Sequence, residues 1–392
     1  MIYLNQNIAI QTFYHGNRNY CFTEVGELYV LITTFCEVTE VNLWGYKNEL
    51  VKFDITGKEI ERIDLYDIQK DVSDFYLTQE KDPSGFEVLQ SILVWKNEIV
   101  ISTVNNRCYI YLNGILKHKY AYHGPFLDPV KKEDILAQKT NFAAHFFIEK
   151  KGKLYLLTNG SDLGRTNSRG RFIAGLSTEK FSGFGAEPFA SNFLTDVWNF
   201  DTFRYDKPQT NVYPPNMDLT SFTMDAVRKK IEITNPMIFQ IIDLNEAECI
   251  VSVFTDWRSK SAYGDIDTPY YFFKVNKRNG EIGEDISPKD NRIYKNGEYL
   301  IVDDTENKRL IFKTLEFVYF YDYTGKIIEA IELATNKLAQ LKKLRLIGKS
   351  DLLTYFYDAE KMDVLGIAIG KTKDEFILNV NVALKKYKSI RK

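Results

Sequence analysis

Short apolar runs rich in β-branched and aromatic residues recur along the chain, and residues typical of turns separate them. Runs of this length and composition favour β-strands over helices. Several such runs in series are typical of a β-sandwich or a β-propeller. The pattern therefore predicts six strand-rich units, which contain residues 27–35, 98–104, 153–158, 249–254, 299–302 and 352–357.

Two segments of the chain repeat one another without a gap. Residues 53–63 and 321–331 both read aromatic, Asp, any residue, Thr, Gly, Lys, any residue, Ile, Glu, any residue, Ile. The Asp side chain can accept hydrogen bonds from nearby backbone amides, and the Gly can adopt a positive φ. The Ile residues that follow alternate onto one face of a strand. Each copy therefore predicts a β-hairpin.

Weaker copies of this turn occur at residues 109–116 and 273–282. The turn glycines Gly280 and Gly325 are 45 residues apart, and Gly57 and Gly114 are 57 apart. A four-stranded propeller blade takes about 40–50 residues, so each interval has room for one blade. The interval of 166 residues between Gly114 and Gly280 has room for about three blades, or for two and an insertion.

The repeated turn resembles that of six-bladed β-propellers, including those with NHL-type repeats and bacterial propellers with an aromatic–Asp–x–x–Gly–Lys turn in each blade. The resemblance implies an all-β propeller of six blades, with seven as the alternative, closed near the two chain termini. The alternative hypothesis is a two-domain β arrangement divided around residue 236. Bacterial propellers of this kind are often exported or lipid-anchored, whereas no leader is seen at this N-terminus.

We expect one propeller domain over residues 1–392, with an irregular, loop-rich insertion at 158–236. Long irregular segments are usually functional or disordered, and overlooked strands are the third possibility. Helical patterns predict short helices at 130–139, 220–230 and 333–346. The basic tail at 385–392 is expected to be a solvated, frayed terminus, with contact to a polyanion as the alternative.

Charge and cysteine content narrow the possible functions. The formal net charge is −2, whereas a protein that binds nucleic acid through its whole surface usually has a basic excess. No apolar run approaches the ~18 residues that a membrane-spanning helix needs. The four cysteines are scattered and lack the spacing of a zinc or redox motif. We therefore expect a cytoplasmic protein without a membrane span, for which nucleic acid is not the expected partner.

The insertion contains the first group of candidate binding residues. Arg165, Arg169 and Arg171 lie in its glycine-rich part, where a guanidinium can form paired hydrogen bonds with carboxylates or phosphates. Trp198 follows them with several phenylalanines that can stack or pack. These residues have three possible roles: contact with a protein or peptide, structural packing, or binding of single-stranded nucleic acid.

A loop between two predicted strands contains the second group. It carries Asp256, Trp257, Arg258, Asp265 and Asp267. Paired aspartates can bind a divalent cation or perform acid–base chemistry, although the spacing of a calcium loop is absent. Ligand contact and a solvated loop are the alternatives. The acidic stretch 303–307 fits an exposed turn.

No phosphate-binding loop, nucleophile elbow or metalloprotease motif is present, so we expect no cofactor and no metal. The sequence predicts a binding or scaffolding propeller that presents rim loops to a protein or peptide partner. The alternative is a metal-dependent hydrolase or lyase acting on a sugar-like or lactone substrate. In that case Asp256, Asp265, Asp267 and His145 converge on the central channel.

Overall fold

A computed structural model describes the chain in separate stretches. These are residues 2–5, 8–10, 18–37, 46–70, 89–95, 97–103, 107–122, 145–150, 153–158, 188–189, 197–199, 204–205, 236–245, 247–255, 268–276, 282–288, 293–294, 300–334 and 338–391. Almost all regular structure in these stretches is β-strand, and every strand pair is antiparallel.

The strands of the described stretches form six sheets, which we number in chain order; β1 (Ile2–Asn5) belongs to the last of them. Sheet 1 consists of β2 (Tyr20–Phe22), β3 (Leu28–Phe35), β4 (Tyr46–Phe53) and β5 (Glu59–Asp64). Sheet 2 consists of β6 (Leu89–Trp95), β7 (Glu98–Thr103), β8 (Arg107–Leu112) and β9 (Ile115–Tyr122), extended by β13 (Val197–Asn199) and β14 (Arg204–Tyr205). Sheet 3 consists of β10 (His145–Lys150), β11 (Lys153–Thr158) and β12 (Pro188–Phe189).

The second half of the chain has the same arrangement. Sheet 4 consists of β15 (Pro236–Asp243), β16 (Glu248–Thr255), β17 (Thr268–Asn276) and β18 (Ile282–Asp285), and β19 (Ile293–Tyr294) also pairs with β17. Sheet 5 consists of β20 (Ile301–Asp304), β21 (Arg309–Lys313), β22 (Phe317–Asp322) and β23 (Ile327–Glu332). Sheet 6 consists of β24 (Leu344–Lys349), β25 (Thr354–Asp358) and β26 (Asp363–Ile367), with β1 beside β26.

The first strands of several successive sheets contact one another. β2 lies against β6, β10 against β15, β15 against β20, and β20 against β24. Strands that meet in this way surround a common axis, with the later strands of each sheet further out. In sheet 5 every residue of β21 is buried, whereas most of β23 is exposed. The prediction of an all-β, propeller-like fold is confirmed, and six remains the predicted number of blades.

The two ends of the chain meet in sheet 6. Ile2 pairs with Ile367 and Asn5 with Val364, so the N-terminal strand completes a sheet built from the C-terminal part of the chain. Propellers use this pairing to join the first and last segments of the ring. The expected closure near the termini is confirmed.

Apolar side chains fill the spaces between neighbouring sheets. Separate buried clusters join sheet 1 to sheet 2, sheet 6 to sheet 1, sheet 4 to sheet 5, and sheet 5 to sheet 6. At the boundary of sheets 1 and 6, the Phe22 and Tyr355 rings are stacked with centroids 3.9 Å apart. Gly348 is needed beside them, because an added Cβ would lie 2.7 Å from the Phe22 ring.

A C-terminal helix, Lys373–Ile390, packs on the boundary of sheets 5 and 6. It buries Phe376, Val380 and Leu384 in the cluster between them. At its far end the Tyr387 hydroxyl lies 2.7 Å from Oδ2 of Asp363. The expectation of a frayed tail is therefore wrong, because the buried apolar face and the tyrosine hold the helix in place.

The repeated turns have the predicted structure. Oδ1 of Asp54 accepts hydrogen bonds from the Thr56 amide at 2.8 Å and its hydroxyl at 2.7 Å. Oδ1 of Asp322 accepts the same two bonds from Thr324 at 2.8 and 2.6 Å. The turn glycines have φ values of 88° and 83°. These bonds lower the pKa of Asp54 below its usual value.

Two further predictions concern the helix at 333–346 and the insertion at 158–236. The helix expected over 333–346 is wrong, because only Ala339–Lys343 forms a 3₁₀-helix and the chain then enters β24. Its leucines, Leu333, Leu338, Leu341, Leu344 and Leu346, all pack in the buried cluster between sheets 5 and 6, so their spacing reflects burial and not one helical face. Strands β12, β13 and β14 fall inside the segment 158–236. Apart from these strands and its two end residues, the segment lies outside the described stretches, as do 130–139 and 220–230.

Candidate functional site

Five turns of sheets 1, 5 and 6 lie at one end of the molecule, which we call the turn face. Successive antiparallel strands reverse direction, so the first and third hairpins of a sheet lie at the same end. Contacts between adjacent sheets, such as the hydrogen bond from the Asp351 amide to the Glu24 carbonyl and the ion pair of Lys349 with Asp304, place these turns side by side. The turns are residues 23–27, 54–58, 305–308, 323–326 and 350–353.

A buried carboxylate lies under the turn face, at the boundary of sheets 5 and 6. Asp304 accepts hydrogen bonds of 2.9 Å from Asn307 and from Nε of Arg309. Nζ of Lys349 lies 3.2 Å from its other oxygen. Burial alone would raise the pKa of Asp304, but these donors and the charge of Lys349 hold it below its usual value. The carboxylate therefore stays ionised although its side chain is 1% exposed.

Arg309 joins sheet 5 to the segment that leads into the C-terminal helix. Its two terminal nitrogens donate to the backbone carbonyls of Gly370 at 2.7 Å and Lys371 at 3.2 Å. Its guanidinium carbon also lies 4.4 Å from the centroid of the Phe320 ring. Gly370 has φ +71°, and an added Cβ would lie 2.5 Å from Glu375, so no other residue fits there.

The second copy of the repeated turn approaches the buried cluster formed by Asp304, Arg309 and Lys349. The Tyr323 hydroxyl donates a hydrogen bond of 2.7 Å to Oδ1 of Asp303. Burial raises the pKa of Asp303, which lies next to Asp304. Within the five residues of the turn itself, the two copies differ only at Tyr323 here and Ile55 in the other copy. The variable position of the repeat therefore supplies the side chains that meet neighbouring groups on the turn face.

A cleft of about 370 Å³ opens above the cluster, between sheets 5 and 6. Thr354 lines it with a fully buried side chain, and Oγ1 of this residue has no hydrogen-bond partner in the described part of the chain. A buried hydroxyl without a partner costs about 1–3 kcal/mol, so an incoming hydrogen-bond donor would be favoured. The exposed acids Glu306 and Asp351 line the cleft further out.

An apolar patch adjoins this cleft. It consists of Val25, Ile55 and Leu352, which are 61%, 36% and 58% exposed. The amide of Asp351 donates a hydrogen bond of 2.9 Å to the carbonyl of Glu24. Val25 directly follows Glu24 in the chain, and Leu352 directly follows Asp351. Val25 and Leu352 are therefore neighbours across the boundary of sheets 1 and 6.

Ile55 belongs to the same patch because its turn packs on Gly26. A Cβ built on Gly26 would lie 3.6 Å from Cγ2 of Ile55. The Tyr355 hydroxyl also donates to the Gly26 carbonyl at 3.3 Å, which fixes this turn against sheet 6. Leu352 lines the cleft as well, so the cleft and the patch form one continuous surface.

Within the described stretches, no group of three or more His, Cys, Asp or Glu residues is arranged to hold a metal ion. None of the helices described there is long and apolar enough to span a membrane. The turn-face surface offers apolar contact, hydrogen bonds and charge to a ligand.

Most residues predicted as site residues lie outside the described stretches: Arg165, Arg169, Arg171, Asp256, Trp257, Arg258, Asp265 and Asp267. Trp198 lies in β13, where its backbone pairs with Ala121 and Tyr205. His145 begins β10 opposite Thr158. These two predicted residues thus belong to different sheets.

The sequence reading missed the turn-face surface. It assigned residues 303–307 to an exposed turn, which is wrong for Asp304 because Arg309 and Lys349 hold that carboxylate inside. An Asp and an Arg five residues apart across a turn were the available signal. The patch gave no signal, because Val25 and Ile55 lie on separate turns of sheet 1 and Leu352 joins them only through the packing of sheet 6 against sheet 1.

No known family model matches the chain, and no curated protein does. Solved structures with overall likeness include one titled mitotic checkpoint complex, at 7% identity over 94% of each chain and a TM-score of 0.43. A DUF4221 family member from Bacteroides vulgatus has 10% identity over 94% of this chain and 96% of its own, with a TM-score of 0.39. The β-propeller domain of Myceliophteria thermophila Cps50 (Swd1) has 9% identity over 92% and 96%, with a TM-score of 0.35. At these scores the likenesses carry no argument, so the fold assignment rests on the strand order and sheet contacts of this chain.

Proposed function

We propose that this protein is a binding propeller that presents its turn face to a protein or peptide partner. The observation that carries the proposal is the apolar patch of Val25, Ile55 and Leu352, which adjoins a cleft with a polar floor. Contiguous exposed apolar groups with a polar rim are typical of interaction sites. Rigid scaffolds commonly carry such sites on their loops and turns.

The scaffold under this surface is well suited to binding. Arg309 connects sheet 5 to the helix segment, and Tyr355 connects sheet 6 to sheet 1. The first bond is partly buried and the second is buried, so the turns above them are held in fixed relative positions. A surface fixed in advance loses little conformational entropy when a partner binds.

The proposal extends to the whole chain. It takes residues 1–392 as one propeller with an insertion at 158–236, located in the cytoplasm. Arg165, Arg169, Arg171 and Trp198 would then enlarge the interaction surface, and the loop with Asp256 and Asp265 would lie at a rim. Propellers serve as enzymes and as scaffolds, so the fold alone does not choose between them.

A pair of matched substitutions tests the proposal. Leu352→Glu places a charge in the patch, and Leu378→Glu does the same on the exposed face of the C-terminal helix. The two leucines are 58% and 63% exposed, so the changes are comparable for folding. Each full-length variant is used to capture partners from the source cells, with quantitative mass spectrometry as the readout.

The proposal predicts one or more stoichiometric partners that Leu378→Glu retains and Leu352→Glu loses. Retention of every partner by Leu352→Glu contradicts it. Loss of partners only with Leu378→Glu would move the binding surface to the helix and also contradict it.

A further inference from the structure

We infer that the turn-face surface recognises a peptide segment in which an arginine stands next to a bulky apolar residue. This inference rests on the proposed function, and it specifies the partner's chemistry. The patch of Val25, Ile55 and Leu352 takes the apolar side chain. The cleft takes the guanidinium.

The charges around the cleft favour a cation. Four carboxylates line it (Asp304, Glu306, Asp351 and Glu375), against the two ammonium groups of Lys349 and Lys371. Arg309 also pairs with Asp304 from beneath the cleft, so three positive charges face the four negative ones and one negative charge is in excess. Lys349 and Arg309 compensate Asp304, so the unbalanced negative charge lies on the exposed acids.

The acids at the mouth are available to a partner. Neither Glu306 nor Asp351 forms a side-chain ion pair or hydrogen bond in the described part of the chain, and both are exposed. Glu24 lies beside the patch and is exposed as well. These three acids lie in the turns that form the patch and the cleft mouth, and they outnumber the exposed lysines of the same turns, Lys58 and Lys308. A basic segment would therefore be attracted and an acidic one repelled.

The hydroxyl of Thr354 is a separate indication of a ligand. This side chain is fully buried, lines the cleft, and lacks a hydrogen-bond partner in the described stretches. Its cross-strand neighbour is Lys349, whose ammonium already contacts Asp304. An incoming donor would satisfy the threonine oxygen, and the acids would balance the charge of that donor.

Arginine fits these requirements better than lysine. A guanidinium has five N–H donors in a planar fork, enough to reach both an acid at the mouth and an oxygen at the floor. An ammonium is a compact, strongly hydrated charge that loses more hydration on entering the cleft. Leu352 belongs to both the patch and the cleft, so the two side chains of the partner must be adjacent.

The test selects peptides from a random display library against the full-length protein. Selected sequences are then synthesised and titrated by fluorescence anisotropy at low and at physiological salt. We expect enrichment of arginine beside Leu, Ile, Phe or Trp. We expect arginine-to-lysine replacement in the peptide to weaken binding about tenfold.

Three protein variants test whether the peptide binds in the cleft. Thr354→Val removes the hydroxyl at constant shape and should weaken binding about tenfold. The double variant Glu306→Gln with Asp351→Asn should weaken it about fivefold and flatten its dependence on salt. Glu332→Gln is the matched control, because Glu332 is an exposed acid at the far end of β23, and it should leave binding unchanged.

Other outcomes overturn the inference in distinguishable ways. Enrichment of acidic or uncharged peptides that Leu352→Glu still abolishes would refute the arginine and keep the proposed function. A concentration-dependent dimer abolished by Leu352→Glu would assign the surface to a second copy of this chain and refute the peptide. If the natural protein enriches peptides no more strongly than the Leu352→Glu variant does, both the arginine inference and the proposed function are refuted.

Discussion

Nε of Arg309 donates a hydrogen bond of 2.9 Å to Oδ2 of Asp304, although both side chains are almost completely removed from solvent. This buried pair crosses the first hairpin of sheet 5 and, through Gly370, reaches the start of the C-terminal helix. It therefore holds together three elements beneath the proposed binding surface.

Removing one member of that pair should be costly. Arg309→Met leaves a buried carboxylate with reduced compensation and leaves the Gly370 carbonyl without its donor, so we expect a loss of about 3–5 kcal/mol in the free energy of unfolding. Urea denaturation measures it. The matched control is Lys342→Met, which breaks a shorter pair of 2.6 Å with Glu316 that is more exposed and should cost less than about 1 kcal/mol. Equal costs for the two variants would contradict the buried role.

The repeated turn gives a second prediction. Asp322→Ala removes one carboxylate oxygen that accepts from Thr324 twice and from the Lys326 amide, and Asp54→Ala removes the same set in sheet 1. Each variant should lose about 1–2 kcal/mol of stability.

The turn glycine extends this comparison. Gly325→Ala should cost at least as much, because φ is +83° and its Cβ would lie 3.0 Å from Ile286. Thermal denaturation by circular dichroism distinguishes these values. An unchanged melting temperature in both Asp variants would argue against the shared turn structure.

A buried lysine predicts an unusual dependence of stability on pH. Lys313 is 5% exposed, and burial lowers its pKa from the usual 10.5 to about 7. Between these two values the unfolded chain binds more protons at this lysine than the folded chain does, so stability should rise with pH from 7 towards 10. The full effect is on the order of 5 kcal/mol.

Lys313→Met tests this assignment. We expect the variant to be more stable than the natural chain at pH 6 and to lose most of the increase between pH 7 and 10. The gain is partly offset, because the carbonyls of Thr314 and Lys342 lose their donor. Urea midpoints at pH 6, 7.5 and 9 measure the effect. An identical pH profile for both proteins would exclude Lys313 as its source.

Thr354 should show opposite effects on stability and binding. Without a ligand its buried hydroxyl lacks a partner in the described stretches, so Thr354→Val should raise the free energy of unfolding by about 1 kcal/mol. The same variant should weaken peptide binding. A loss of stability in Thr354→Val would mean that the hydroxyl already has a structural role.

The sequence predicted the features whose causes are local. The turn at 54–58 could be read directly, because Asp54, Thr56 and Gly57 supply all of its special contacts within five residues. Strands such as Ile301–Asp304 followed from their short apolar runs.

Features that depend on distant residues could not be read in this way. The C-terminal helix was missed because its lysines suggested a solvated tail, whereas contacts with sheets 5 and 6 bury Leu384 and Tyr387. The apolar patch was missed because Val25 and Leu352 meet only when the chain termini close the ring. The residues that the sequence favoured for binding, such as Arg165 and Asp256, fall outside the described stretches, so their role remains a prediction.

Hydrogen–deuterium exchange of the full chain, with and without a selected peptide or captured partner, tests the binding surface most directly. We predict slower exchange in the turns at 23–27, 305–308 and 350–353 when the partner is bound. The turns at 314–316 and 359–362 connect the second and third strands of sheets 5 and 6, at the opposite end, and should exchange at unchanged rates. Protection confined to 314–316 and 359–362, with the turn face unaffected, would contradict the proposed binding surface.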